Sequence, residues 1–482
     1  MDVVQITKHN EVHDRIVCDP DLANEISDFF TFDVSNAKFT PAGKSGFWDG
    51  KIRIFNKMNG LLPCGLRTKL EQFCKDRDYG VEYTFDVANV EFSLKEAWDF
   101  IETLKIPEKY KPRDYQVEAF VTSVREGRLL LLSPTGSGKS MLIYLLTMYF
   151  GVSTLIVVPR KSLVHQLAGD FKDYGYDEAV HKIFGGQDKD TEHEITISTW
   201  QSIAKQSEAW FAKYQLFHGD EAHLFKAKSL TTILGRMKQC VHKYGFTGTL
   251  DDVQCHVLVL QGLFGRICKV ATTAELIEQK YLADFDIKAL ILSYPDTVRK
   301  SLTKATYQDE MSYIFACAGR NRFIKNLALS LKGNTILLFQ RIETHGKLLY
   351  DLIKTEAGDR KVYYIHGGVD VDIREEIRKI VETDTDAIIC ASTGTFSFGV
   401  NIVNLSNVIF ASPSKGKIQN LQSIGRALRR SATKTTATLY DIADDMSWKK
   451  KNNYTLTHFI LRMKIYAEEK HPYKVYKIAI TP

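Results

Sequence analysis

From residue 114 onward, short apolar runs alternate with longer stretches whose apolar positions recur every three or four residues. "LLLLS" leads into "SMLIYLLTMYF", "TLIVVP" into "KSLVHQLAGDF", and "ITIST" and "YQLFHGD" follow. A continuous apolar run followed by an amphipathic helical pattern predicts a buried parallel strand with its crossover helix. A second series starts near residue 334, with "TILLFQ", "VYYIHG", "DAIICAS", "NVIFAS" and "ATLYDI" as strands and "ETHGKLLYDLI" and "VDIREEIRKIVE" as helices. Two tandem α/β domains are therefore expected. The first 105 residues read differently: "KIRIF", an Asn-Gly turn in "NKMNG" and "LLPCGL" suggest a small α+β module containing a hairpin. The prolines of "KIPEKYKPRDYQ" mark its end. Past Asp445, "TLTHFILRMKIYAEE" predicts a helix and "YKVYKIAI" a strand that packs back onto the body. The expected domains are residues 1–105, 106–285, 286–445 and a basic extension, 446–482.

Composition narrows the class only modestly. At 482 residues, 44% hydrophobic and 25% charged, the chain suits a soluble multidomain protein. No apolar stretch is long enough to span a bilayer, and "MDVVQITKHNEVHD" has no signal or transit pattern, so a cytoplasmic protein without membrane contact is expected. None of the eight cysteines falls at C-x-x-C spacing, which argues against a zinc or dithiol centre. The net charge of +6 is uneven. Residues 446–482 carry eight Lys/Arg against two acidic residues, and residues 38–69 carry seven against Asp49 alone. Such islands suit a polyanion touched in specific places, although solvated lysines also produce them.

The chemistry concentrates in three places. "SPTGSGKS" joins an apolar strand to an apolar helix; Pro134, Thr135, Gly136, Ser137 and Gly138 form a turn of the kind whose backbone N–H groups cradle phosphates. Lys139 would reach the outer phosphates and the Ser140 hydroxyl would hold Mg2+. Ser133 stands where the general pattern has glycine. "DEAH" follows a second strand: Asp220 would hold Mg2+ through water and Glu221 would polarise the attacking water, the competing reading being an acidic helix N-cap. In "QSIGRALRR", Arg426 and Arg429 lie one helical turn apart and would face the γ-phosphate; a basic surface helix is the plain alternative. Because this pair belongs to the second series, hydrolysis would be coupled to domain motion.

In order, "RDYQ", "SPTGSGKS", "VVPRKSLVHQ", "FGG", "STWQS", "DEAH", "TGT", "FQRIETHGKLL", "HGGVDVDIREE", "ASTGTFSFGVNI" and "QSIGRALRR" resemble the complete motif series of superfamily 2 helicases of the DExH type. The resemblance covers about residues 110–445 and implies two RecA-like domains. With "FWDGKIRIFN" ahead of the motor, the whole chain is similar to bacteriophage recombination and repair helicases of that superfamily. Position by position, the resemblance makes Arg113 and Gln116 the adenine-sensing element and adds Gly399 to the nucleotide-binding set. His223, Thr247 and Thr249 would link ATP state to the nucleic-acid track. Gln422, Arg426 and Arg429 would act in trans. Arg160, Gly185, Gly186, Thr199, Gln201 and Thr393 would touch one strand's backbone, as hydroxyls, amides and one basic group can do without reading bases. Asn401 stands where many members have aspartate.

The resemblance implies ATP and Mg2+ as cofactors and an ATP-dependent DNA helicase or translocase that remodels forks, four-way junctions or RNA–DNA loops in recombination, repair and replication. A monomer in the host bacterial cytoplasm is the expected state. The N-terminal island interleaves Lys51, Arg53 and Lys57 with Phe39, Phe47, Trp48 and Phe55, which suits phosphate contact with stacking on duplex DNA, or a small aromatic core. Lys449, Lys450 and Lys451 suit a linker or a DNA contact. Three rivals stand: a restriction-type motor subunit, an RNA helicase, and an ATP-regulated clamp that does not translocate.

Overall fold

The computed structural model describes residues 3–34, 37, 41–46, 48–87, 90–190, 192–224, 227–248, 250, 254–395, 404–413, 436–449 and 451–481. The chain forms two compact units, Met1–Ser133 with Gly138–Ala271 and Thr272–Pro482 with the short segment Pro134–Ser137.

The first unit opens with a module whose mixed sheet has the order β5-β2-β1-β6. Its strands are β1 (Val3–Lys8), β2 (His13–Val17), β5 (Leu61–Pro63) and β6 (Gly80–Tyr83), while β3 (Thr31–Asp33) and β4 (Lys51–Arg53) pair separately. The Asn-Gly turn lies between Asn56 and Leu61, which bridge antiparallel. Val4, Ile6, Leu22, Ile26, Phe30, Phe55, Leu70 and Phe73 fill the module's core, and Leu258, from helix Gln254–Phe264 of the following α/β domain, completes it. The Glu11 carbonyl accepts from Arg128 Nη2 at 2.7 Å and from Lys243 Nζ at 2.6 Å. Gly65 sits tightly in this seam. A Cβ there would stand 2.1 Å from the Gln261 carbonyl oxygen and 2.7 Å from that of Gly262, both backbone atoms that cannot swing aside. Gly65→Ala should therefore destabilise the protein by about 1–3 kcal/mol, read as a lower denaturation midpoint.

The first seven-stranded sheet has the order β13-β7-β12-β11-β8-β10-β9, every pairing parallel. These strands are β7 (Arg128–Leu132), β8 (Thr154–Val158), β9 (His181–Ile183), β10 (Ile195–Thr199), β11 (Leu216–Gly219), β12 (His242–Thr247) and β13 (Ile267–Lys269). Helices cover the faces, so the central strands are buried on both sides and their apolar runs are unbroken. Leu129, Leu130 and Leu131 of β7 are fully buried, each contributing about 1.5–3 kcal/mol.

The second unit repeats the plan. Its sheet runs β16-β17-β15-β18-β19-β14-β20, again wholly parallel. The strands are β14 (Asp284–Ser293), β15 (Thr335–Phe339), β16 (Val362–Ile365), β17 (Ile388–Ser392), β18 (Asn407–Phe410), β19 (Thr436–Asp445) and β20 (Tyr473–Ala479). The tail thus supplies the edge strand of this sheet. Its helix, Tyr454–Glu468, is anchored at the N-terminus by buried Glu310, which accepts from the Tyr454 and Thr455 amides at 2.9 and 2.7 Å. Arg462 pairs with Asp441 at 2.8 Å in the interior.

Candidate active site

Because the strands of the first sheet are parallel, their carboxyl ends share one edge, where loops meet helix N-termini. The candidate residues divide that edge. Those assigned to nucleotide chemistry follow three adjacent strands: the glycine-rich loop after β7, Thr247 at the end of β12, and Asp220 and Glu221 after β11. Those assigned to strand contact follow three further adjacent strands: Arg160 after β8, Thr199 and Gln201 at β10, Gly185 and Gly186 after β9.

Within the first group the loop closes on itself, Ser137 Oγ donating to the Pro134 carbonyl at 2.6 Å beside Thr135 and Gly136. Gly138 precedes helix Lys139–Phe150 in the left-handed region, φ +79°, and a Cβ there would lie 2.4 Å from Gln116 Nε2. That amide donates to the Gly138 carbonyl at 3.2 Å, while Gln116 Oε1 accepts from the Arg113 backbone N–H at 2.8 Å. Gln116 thereby ties the start of helix Asp114–Glu126 to the loop.

Lys139 Nζ donates to Glu221 Oε1 at 3.0 Å, with both side chains largely buried. Glu221 has φ +51°, a left-handed conformation that costs a non-glycine residue about 1 kcal/mol or more, and its N–H donates to Asp220 Oδ1 at 3.0 Å. Desolvation, together with the adjacent Glu221 carboxylate, pushes the Asp220 carboxyl up to about 7 against the pull of Lys139. Two carboxylates facing one lysine leave an excess of negative charge that suits a divalent cation. No cluster of three or more His, Cys, Asp or Glu able to hold a metal occurs among the described residues. One hydroxyl, Ser140, and one or two carboxylates are the sparse donor set that Mg2+ takes when substrate phosphates and water complete its shell.

His223 Nδ1 lies 2.5 Å from Thr247 Oγ1 and 3.5 Å from Glu221 Oε2. The Thr247 carbonyl accepts from the Ser133 N–H at 2.8 Å. A chain of contacts therefore runs from Glu221 through His223 to the end of β12 and back to the first residue of the phosphate loop. His218 takes no part: fully buried, it bonds Thr147 Oγ1 at 3.1 Å and lies over Tyr244, and burial lowers its pKa to about 3.

In the second group, Arg160 is exposed at the N-cap of helix Lys161–Asp173, and Gly185 and Gly186 are open to solvent with nothing near their Cβ positions. Thr199 Oγ1 bonds Ser202 Oγ at 2.9 Å, and Gln201 Nε2 donates to the Pro159 carbonyl at 3.4 Å. In the second unit, Thr393 follows β17 and donates to the Phe339 carbonyl at 3.0 Å. In the N-terminal module Lys51, Arg53 and Lys57 are all exposed; Arg53 pairs with Asp49 at 2.5 Å and Lys57 Nζ donates to Asn24 Oδ1 at 3.1 Å. Trp48 is half-buried, its indole donating to the Lys51 carbonyl at 2.9 Å. Thr249, Gly399, Asn401, Gln422, Arg426, Arg429, Phe39 and Phe47 lie outside the described residues. One neighbour is marked by no motif: Tyr174, whose hydroxyl lies 2.8 Å from Ser140 Oγ.

Three family models match the chain: "DNA helicase UvsW, N-terminal" over residues 3–84, "Type III restriction enzyme, res subunit" over 109–252 and "Helicase conserved C-terminal domain" over 319–431. The ATP-dependent DNA helicase uvsW of Enterobacteria phage T4 is 34% identical, with 98% of both chains covered. A DNA 3'-5' translocase of Sulfurisphaera tokodaii, XPB2, is 26% identical over 67% of this chain and 80% of its own. The crystal structure of T4 UvsW superposes with a TM-score of 0.53 at 33% identity, covering 99% of this chain and all of that one.

Proposed function

The chain belongs to the UvsW family of ATP-dependent DNA helicases, and on that premise we propose that it uses ATP hydrolysis at the β7–β11 edge to remodel branched DNA. The observation that carries the catalytic part is the 3.0 Å contact of Lys139 with Glu221, beside Asp220, at the mouth of the phosphate loop. Arg113 and Gln116 would sense the base. Lys139 would leave Glu221 for the outer phosphates, since a triphosphate offers more negative charge than one carboxylate. Glu221, released from that pairing, would then accept the proton of the attacking water. Ser140 and Asp220 would hold Mg2+, which when bound offsets charge on the phosphates. Arg426 and Arg429 are assigned to the γ-phosphate charge, and Gln422 and Gly399 to the same nucleotide.

His223, 3.5 Å from Glu221 and bonded to Thr247, would link Glu221 to the sheet edge, and Thr249 is assigned to that route. Arg160, Gly185, Gly186, Thr199, Gln201 and Thr393 would grip one strand through its phosphates. Contacts of that kind ignore base identity, which a motor stepping along DNA requires.

The branched-substrate reading is supported by the resemblance of the motif series to phage recombination and repair helicases and by the exposed basic strand of the N-terminal module. The test compares ATPase stimulation and strand remodelling on linear duplex, fork, four-way junction and an RNA-containing loop. Equal stimulation by linear and branched DNA would sink the branch preference, and stimulation by RNA alone would make the protein an RNA helicase. Reversing Lys51, Arg53 and Lys57 to glutamate should weaken binding to forked DNA. It should also flatten the slope of log K against log salt by about 2–3, or about 0.9 for each lost phosphate contact. An unchanged slope would remove the module from the DNA-binding surface.

No helix among the described residues is long and apolar enough to cross a membrane. Action in the bacterial cytoplasm as a monomer completes the proposal.

A further inference from the structure

Tyr174 follows helix Lys161–Asp173, and only 8% of its surface is exposed. Its ring is held on two sides, by Tyr144 at 5.3 Å and Tyr110 at 5.4 Å between centroids. Tyr144 sits one turn after Ser140 on helix Lys139–Phe150, and the Tyr110 hydroxyl donates to Asp173 Oδ2 at 3.0 Å. The outcome is a tyrosine wedged against the phosphate-loop helix with its hydroxyl 2.8 Å from Ser140 Oγ.

A hydroxyl has one proton and two lone pairs. A serine that ligates a cation must aim a lone pair at the metal and turn its proton elsewhere, and coordination makes that proton more acidic. An acceptor already in place favours this orientation and removes the cost of finding it. We propose that Tyr174 is a positioning residue for the metal site: its phenolic oxygen accepts the Ser140 proton and fixes the serine rotamer so that Oγ presents its lone pairs to Mg2+. This rests on the reading of Ser140 as a metal ligand.

Tyr174→Phe keeps the ring and its packing and removes only the acceptor. One neutral hydrogen bond corresponds to roughly a three- to tenfold change. The Mg2+ concentration giving half-maximal DNA-stimulated ATPase should rise by about that factor, while the rate at saturating Mg2+ recovers to within about twofold. Calorimetry supplies a readout independent of turnover: ADP should bind Tyr174→Phe as it binds the parent in EDTA, and more weakly in Mg2+. Adding the substitution to Ser140→Ala should change Mg2+ dependence no further, since Tyr174 acts through Ser140. An unchanged Mg2+ dependence, an ADP affinity weakened equally with and without metal, or additivity with Ser140→Ala would each overturn the proposal. Full ATPase activity in Lys139→Ala would instead bring down the loop assignment itself, whatever Tyr174 does.

Discussion

Replacing Glu221 by glutamine is expected to slow DNA-stimulated ATP hydrolysis by about a hundred- to ten-thousandfold, the range for loss of a positioned general base, while ATP still binds. Glutamine is nearly isosteric and has the same backbone requirements at φ +51°. It cannot take a proton from water. Binding should survive for an electrostatic reason. Glu221 is the second largest influence raising the Asp220 carboxyl towards about 7, so neutralising it lets Asp220 ionise more readily and hold a cation at least as well. Lys139, freed from its 3.0 Å ion pair, becomes fully available to phosphate. Single-turnover hydrolysis and equilibrium nucleotide binding, measured on the same preparation, separate the two effects. A loss of rate smaller than tenfold, or a loss of binding as large as the loss of rate, would mean that Glu221 is not the base.

Much of the frame was legible because periodicity is a local property. The leucine run before Ser133, followed by a helical pattern, reads as a buried strand, and β7 is one, with Leu129 to Leu131 fully covered. The alternation of such runs with helical patterns forecast parallel sheets, and both α/β sheets are wholly parallel. The glycine-rich turn was equally local: Gly138 needs a left-handed φ and leaves room for Gln116. What could not be read were contacts between residues far apart in sequence. Nothing in the chain says that Lys139 meets Glu221 across 82 positions, or that Ser140 meets Tyr174 across 34. The aromatic residues of the N-terminal island were ambiguous for the same reason, since exposure is tertiary. Phe55 proves to be core, whereas Trp48 is half-buried with its indole bound to the Lys51 carbonyl. Ser133 was the one irregular position in the phosphate loop. It is fully buried and donates its N–H to the Thr247 carbonyl, so it packs into the seam between β7 and β12.

Lys139→Ala should show the opposite pattern from Glu221→Gln: hydrolysis reduced about a hundred- to thousandfold or more, the range for loss of one charge-stabilising donor, and nucleotide binding weakened with it. Lys139 is the cation that Glu221 contacts and the one that holds the Asp220 carboxyl down. Without it the two adjoining carboxylates repel each other and an incoming triphosphate alike. Mg2+ would not restore the lost contact, because on the proposed assignment Lys139 would hold the outer phosphates while Ser140 and Asp220 would hold the metal. Strand remodelling should fail in both variants, but only Glu221→Gln should trap ATP and stay DNA-bound. The comparison therefore tests the division of labour along the sheet edge as well as each residue. Equal nucleotide affinities in the two variants would contradict the separate roles given to Lys139 and Glu221, and full hydrolysis by Lys139→Ala would place the ATP site elsewhere.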